Sequence, residues 1–315
     1  MMQAMTPMPW HEEPWALLKG RRERGAMPHA LLLAGPGGLG KRIFLDRLAQ
    51  AMLCQAPVDG DACGRCKACL LYAAGTHPDR ATIGLGLRKD GTPRTEIVID
   101  QVRELSQRLA MSSQFGGWQV VSIDPADAMN ASAANALLKT LEEPSRETLL
   151  MLVADAPWRL PATIRSRTQR VDFNLPSAEV AMAWLKAEGV SDAAAALAAA
   201  NGNPGQARAW AAAGQLKARN EVRNDLKALA AGRGDPMEVA KRWQAATPPA
   251  YLWFAAQAVA EESRARAQGG EAPLGSALDG FALDAWFASA NRAREALRGP
   301  LRTDLVMLEL LSAWR

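Results

Sequence analysis

The chain has 315 residues, 49% of them hydrophobic and 22% charged, which is enough to bury a sizeable core and ordinary for a globular protein of two or three domains. A formal net charge of +4 is far from the dense basic stripe of a dedicated nucleic-acid binder, and two Tyr and six Phe leave few aromatics to interleave with bases. No apolar run approaches the ~20 residues that span a bilayer, and Met1–Pro7 show no basic stretch leading into an apolar one, so a cytoplasmic protein with no membrane role is expected.

The first predicted strand is the apolar run His29–Ala34, which ends at a Gly-Pro-Gly-Gly turn. A helical pattern then follows through Ile43, Leu45, Leu48 and Met52, and strand, Gly-rich loop, helix is how a nucleotide-binding α/β unit opens. Within that turn, Gly35-Pro36-Gly37-Gly38-Leu39-Gly40-Lys41-Arg42 matches G-x-x-x-x-G-K at its first seven positions. Gly35, Gly37, Gly38 and Gly40 would let backbone N–H groups turn toward phosphate oxygens, and Lys41 would neutralise their charge. The eighth position calls for Ser or Thr, whose hydroxyl holds Mg²⁺; Arg42 stands there and cannot ligate a cation. These residues therefore read as a degenerate phosphate loop, or else as a tight turn that binds nothing.

All four cysteines, Cys54, Cys63, Cys66 and Cys69, fall in the next segment, 54–69. Disulfides are disfavoured in a cytoplasmic chain, and four thiolates can close a tetrahedral structural Zn²⁺ shell with no open position for substrate. Free thiols and an iron–sulfur cluster are the alternatives. His77, just downstream, is expected to be structural.

Further strands are predicted at Ala81–Ile83, Thr95–Ile99, Gln119–Ile123, Leu149–Val153 and Gln169–Phe173, with helices at Asp100–Met111 and Ala131–Glu143 between them. This alternation implies a parallel sheet covered on both faces. The strand Gln119–Ile123 runs into Asp124, the expected partner of a Mg²⁺ ion, and Asp127 is expected to cap the following helix. After Pro176 the pattern is helical, broken at 201–205, Gly232–Pro236, Thr247–Pro249 and Gln268–Gly275, the last of these expected to be a mobile loop. Trp184, Trp243 and Trp286 fall on helical apolar faces and are expected in the core. The boundaries drawn are 1–175 for the α/β domain with its cysteine module at 54–69, 176–210 for a small helical domain, and 211–315 for a helical C-terminal domain.

Asn135-Ala136-Leu137-Leu138-Lys139-Thr140-Leu141-Glu142-Glu143-Pro144 closely resembles a motif of the bacterial DNA polymerase III clamp-loader subunits, a branch of the AAA+ proteins. The cysteine insertion resembles the same group, as does Ile164-Arg165-Ser166-Arg167-Thr168, with Thr168 where the family has cysteine; the resemblance covers most of 28–210. It implies an AAA+ P-loop parallel-sheet domain with a zinc-binding insertion, a helical lid and a C-terminal collar. It also implies a hetero-pentameric ring with gamma/tau and delta subunits, and through the ring the sliding clamp and primed DNA. Against the ATP-hydrolysing gamma/tau pattern, this sequence has Arg42 for the Mg²⁺-holding hydroxyl and Pro125 for the glutamate that activates water, with Asp127, three residues after Asp124, as a substitute carboxylate if it is not the helix cap. It has Gly205 where a motor has an ATP-sensing arginine, and near Ala154-Asp155 it lacks the polar threonine of the first sensor. The resemblance thus points to a non-motor member of a DNA-directed DNA polymerase (nucleotidyltransferase) holoenzyme, with a gamma/tau motor as the alternative. ATP hydrolysis is not expected of the chain itself, and nucleotide binding without hydrolysis is left open. Arg167 matches the family's arginine finger, which reaches the ATP of an adjoining subunit; the alternative is a surface arginine at the start of a strand.

Overall fold

The structure, a computed structural model, describes residues 8–88, 90–297 and 303–314; the opening segment read above, Met1–Pro7, lies outside them. The described residues of 1–188 and 202–206 form one compact unit, and those of 189–201 and 207–315 form another.

The first unit is built on a five-stranded parallel sheet with the order β2-β3-β4-β1-β5. Its strands are β1 (Ala30–Ala34), β2 (Arg80–Ile83), β3 (Gln119–Ile123), β4 (Thr148–Ala154) and β5 (Gln169–Asp172). The helices are α1 (Glu12–Glu23), α2 (Lys41–Leu53), α3 (Lys67–Ala73), α4 (Ile99–Leu109), α5 (Ala131–Glu142), α6 (Ala162–Arg165) and α7 (Ala178–Ala187). Side chains alternate across a strand, so a sheet covered on both faces needs apolar residues at every position of its central strands. β1, β3 and β4 are buried throughout and come close to that demand, the polar exceptions being Gln119 and Ser122 of β3 and Thr148 of β4. Leu32, Leu150, Leu152, Val121 and Ile123 pack on one face with Val102 and Leu105 of α4 and Leu137 and Leu141 of α5. Leu31, Leu33, Leu149, Met151 and Val153 pack on the other with Leu18 of α1 and Phe44 and Leu48 of α2.

The α/β architecture is the one expected, with four local differences. Residues 95–98 form no strand: Ile97 makes one bridge to Met129, and the chain turns into α4 at Ile99, because Gln101 accepts the N–H of Val98 in its side chain and closes the helix start. Asp127 does not cap α5; Asn130 does, accepting the Ala133 N–H at 2.9 Å, while Asp127 Oδ2 accepts the Ala156 N–H. Trp184 is half-buried, edge-on to Trp10, whereas Trp243 and Trp286 are buried in the second unit. Finally, the 268–275 loop is pinned. Glu262, fully buried, accepts the N–H groups of Leu274 at 2.6 Å and Ser276 at 3.2 Å and pairs with Arg266 at 3.0 Å.

The second unit is helical: α8 (Ala193–Ala199), α9 (Pro204–Ala212, whose first residues belong to the first unit), α10 (Leu216–Ala230), α11 (Pro236–Ala245), α12 (Pro248–Ala267), α13 (Gly280–Ala296) and α14 (Thr303–Ser312). Its buried tryptophans find acceptors for their indole N–H groups: Trp243 on Asp225, Trp286 on the Leu310 carbonyl and Trp314 on the Leu226 carbonyl. Among the described residues no helix is long and apolar enough to cross a membrane.

Candidate functional site

In a parallel sheet the strand C-termini lie along one edge, and β1 adjoins β4, which adjoins β3. The loop after β1 therefore meets the residues that follow those two strands, Asp155 and Asp124. Gly35 has φ 146°, and a Cβ there would overlap the Phe173 carbonyl oxygen; Gly38 and Gly40 have φ 86° and 75°. The turn thus depends on its glycines, and the carbonyl oxygens of Gly35, Pro36, Gly37 and Leu39 are engaged within the unit. Lys41, 2% exposed, donates to the carbonyl oxygens of Gly35 at 2.6 Å and Pro36 at 2.7 Å and pairs with Asp155 at 2.6 Å. Burial pulls its pKa below the usual lysine value, with Asp155 acting in the opposite direction.

Arg42 grips Asp124 with both ends of its fork, Nε to Oδ2 and Nη2 to Oδ1, each 2.7 Å, and its Nη1 lies 3.9 Å from Asp155. Where a hydroxyl and an aspartate would share a Mg²⁺ ion, a guanidinium meets the aspartate directly. Asn203 Nδ2 donates to the Gly37 carbonyl at 2.7 Å, and Gly205 lies so close to Gly38 that a Cβ would overlap its carbonyl oxygen. On another side, Trp10 Nε1 at 3.0 Å and His11 Nε2 at 2.8 Å meet the Leu39 carbonyl.

Sequence reasoning singled out Lys41, Arg42 and Asp124 without pairing them, and it missed Asp155, Asn203, Trp10 and His11 as partners of the loop. The position of Asp155, directly after a strand as Asp124 is, was a signal that could have found it.

The cysteines form a second site. Cys54 follows α2, Cys66 is the N-cap of α3 and Cys69 lies in that helix, while Gly64, at φ 71°, turns the chain between Cys63 and Cys66. The four Sγ atoms lie within 4.8 Å of one another, with Cys54 and Cys66 3.9 Å apart. Four sulfurs about 2.3 Å from one tetrahedral ion are about 3.8 Å apart, so the set fits a Cys₄ metal shell such as that of zinc. Backbone N–H groups of Cys63, Cys66 and Cys69 point at the sulfurs of Cys54, Cys63 and Cys66 at 3.2, 3.4 and 3.4 Å, which favours thiolates. Burial raises the Cys66 pKa, but N–H donors from Cys69 and Gln55 and the neighbouring thiols outweigh it and bring it down to about 6. Burial pushes Cys69 up to about 12. The module is fastened to the sheet domain by Arg47, bidentate on Asp61 and stacked 3.7 Å above the Trp15 ring, and by Arg22 on the Gly60 carbonyl. His77 lies outside the cluster; it is buried, accepts the Asp79 N–H and stacks on Phe115.

Arg167 sits between α6 and β5 and is 37% exposed. It pairs with Glu142 at 2.6 Å and donates to the Thr163 carbonyl at 3.1 Å.

The family described as "DNA polymerase III, delta subunit" matches residues 10–177. The DNA polymerase III subunit delta′ of Pseudomonas aeruginosa is 38% identical over 78% of this chain and 74% of its own length. That of Escherichia coli is 37% identical over 64% of this chain, a match spanning only 60% of the relative. A solved gamma subunit-related protein from Thermotoga maritima is 16% identical over 95% of this chain and 97% of that one, with a TM-score of 0.48. With more than half of the chain matched by the family and most of a delta′ relative matched in turn, the chain belongs to the delta′ subunit family of DNA polymerase III.

Proposed function

We propose that the chain is a non-motor subunit of a DNA polymerase III clamp loader. It would join gamma/tau and delta subunits in a five-membered ring that loads the sliding clamp onto primed DNA. Its own nucleotide site hydrolyses nothing, and Arg167 completes the ATP site of an adjoining motor subunit. The division into α/β, lid and collar domains at 175 and 210 belongs to the same reading. The observation that carries it is the Arg42–Asp124 pair, which puts a guanidinium where phosphoryl transfer needs Mg²⁺. The four cysteines hold a structural Zn²⁺ in this reading; the metal gives the module its closed shape, and no reaction step passes through it.

An arginine finger stabilises charge that grows on the transferred phosphoryl group, so its loss lowers turnover more than assembly. Fingers are worth about 10³–10⁵ in rate at one site, but a ring has further motor sites with their own fingers. In reconstituted rings, Arg167→Ala is expected to cut ATPase and clamp loading partially while binding to gamma/tau and zinc content stay normal. Arg167→Lys rescues poorly because it loses the planar fork. Loading at the unmodified rate by Arg167→Ala rings would reduce Arg167 to a surface residue. Phosphate release by the isolated chain that vanishes with Lys41→Ala would establish the alternative, a gamma/tau-type motor.

A further inference from the structure

Two elements of the first unit hold Arg167. Nη2 lies 2.6 Å from Glu142 Oε1 at the end of α5, and Nη1 donates to the Thr163 carbonyl of α6 at 3.1 Å. Two anchors fix the plane of a guanidinium as well as its position. Of its five N–H donors, one is engaged on the Thr163 carbonyl, Nη2 is held by its ion pair with Glu142, and no other partner is found among the described residues.

Packing does not explain Glu142. Its side chain is 50% exposed, while Leu137 and Leu141 of the same helix are buried. It closes α5, and the C-terminal end of a helix disfavours a carboxylate unless a cation answers it. An exposed ion pair adds little to stability, so the use of this one lies in what it does to the arginine.

We infer that Glu142 is a positioning residue. With the Thr163 carbonyl, its carboxylate holds the Arg167 guanidinium so that the unengaged N–H donors face the phosphoryl oxygens of ATP on an adjoining subunit. This rests on the reading that Arg167 acts in trans. Glu142 touches no substrate and moves no proton; it removes the rotamer search a long side chain would otherwise make at every turnover.

The test uses the complete ring with clamp and primed DNA, and measures single-turnover phosphate release over a range of ATP concentrations. Arg167→Ala is expected to abolish the share of release that this subunit serves. Glu142→Ala should slow that share about tenfold with its ATP dependence unchanged, the signature of an interaction made in the transition state. Glu142→Gln should keep part of the rate, because the amide oxygen remains beside Nη2 as a neutral acceptor. The Glu142→Ala/Arg167→Ala pair should equal Arg167→Ala alone, since one residue works through the other. If Arg167→Ala is slow and Glu142→Ala is as fast as the unmodified ring, the inference fails and the finger stands. A double variant slower than Arg167→Ala assigns Glu142 to the fold and overturns it too. Full rate with Arg167→Ala removes the finger reading itself.

Discussion

Lys41 offers the sharpest division between a phosphate loop that binds and one that has become part of the core. In a working loop the lysine faces a ligand, and its removal costs binding more than folding. Here its donors are spent inside the protein, on Gly35, Pro36 and Asp155. Lys41→Met keeps the length of the side chain and removes all three contacts. Hydrogen bonds to charged groups are worth about 1.5–3 kcal/mol each, and breaking a buried ion pair costs about 3–5 kcal/mol. Asp155 is 32% exposed and keeps Arg42 3.9 Å from its Oδ2 when the lysine is gone, and methionine avoids the burial of an ammonium. Both offsets point to the low end, about 3 kcal/mol. At about 2–4 °C per kcal/mol for a unit of this size, the melting temperature should fall by roughly 6–12 °C.

Thermal unfolding followed by circular dichroism, with and without millimolar MgATP, checks this. The unmodified chain should melt at the same temperature in both, because Asn203 and Gly205 lie against the loop at Gly37 and Gly38. A ligand at a hundred times its Kd would add about 2.7 kcal/mol and could not be missed. Lys41→Met melting within a degree of the unmodified chain, together with a clear rise on adding MgATP, would refute the reasoning.

Protein purified without chelator should carry one Zn²⁺ per chain by metal analysis. Cys66→Ser should release the ion and raise protease cleavage within 54–69 while the far-ultraviolet signal of the sheet domain persists. His11 is buried and its pKa is lowered, chiefly by burial, so the unfolded chain takes up its proton first. Stability should therefore hold above the ordinary histidine value of 6.5 and decline as pH falls below it, and His11→Phe should flatten that decline in urea titrations at pH 7.5 and 5.5. Gly205→Ala forces a methyl into the Gly38 carbonyl and should cost about 1–3 kcal/mol, whereas Gly117→Ala, with open space around it, should stay within about 0.5 kcal/mol by chemical denaturation.

The fold was legible wherever burial on both faces left its mark. β1 is an uninterrupted apolar run in the sequence and β3 and β4 are largely apolar, broken only by Gln119, Ser122 and Thr148, and each was read to within a residue of its observed ends. Thr95–Ile99 misled for a physical reason: its isoleucines and valine look strand-like, but Gln101 nucleates a helix there and leaves only the bridge from Ile97 to Met129. The cysteine cluster was legible because its ligands are close in sequence and of one chemical type. What stayed hidden were pairings between polar residues far apart in the chain. Arg42 meets Asp124 across 82 residues, and Asn203 meets Gly37 across 166. Periodicity reports which face a residue is on and says nothing of which distant polar group shares it. Glu142 lies within a recognisable motif, but its pairing with Arg167 depends on α6 folding back beside α5, which no local pattern encodes.

That the loop keeps so much of a nucleotide-binding signature follows from the charges around it. Parallel strands ending at Asp124 and Asp155 bring two carboxylates to one edge of the sheet, where like charges repel in a medium less polar than water. A working site answers them with Mg²⁺ and the lysine together. Remove the hydroxyl that holds the metal, and the carboxylates need another cation. Arg42, at the position of that hydroxyl, supplies it with a bidentate contact, and Lys41 supplies the second at Asp155. Two anions then face two cations with no ion required. The glycines are needed whatever binds, because a Cβ at Gly35 would strike Phe173 and one at Gly38 would crowd Asn203. Gly35 and Lys41, which match the phosphate-loop pattern, thus each answer a neighbour within the protein, and the match by itself says nothing of turnover. The informative position is Arg42, where the pattern breaks and the guanidinium meets Asp124 directly.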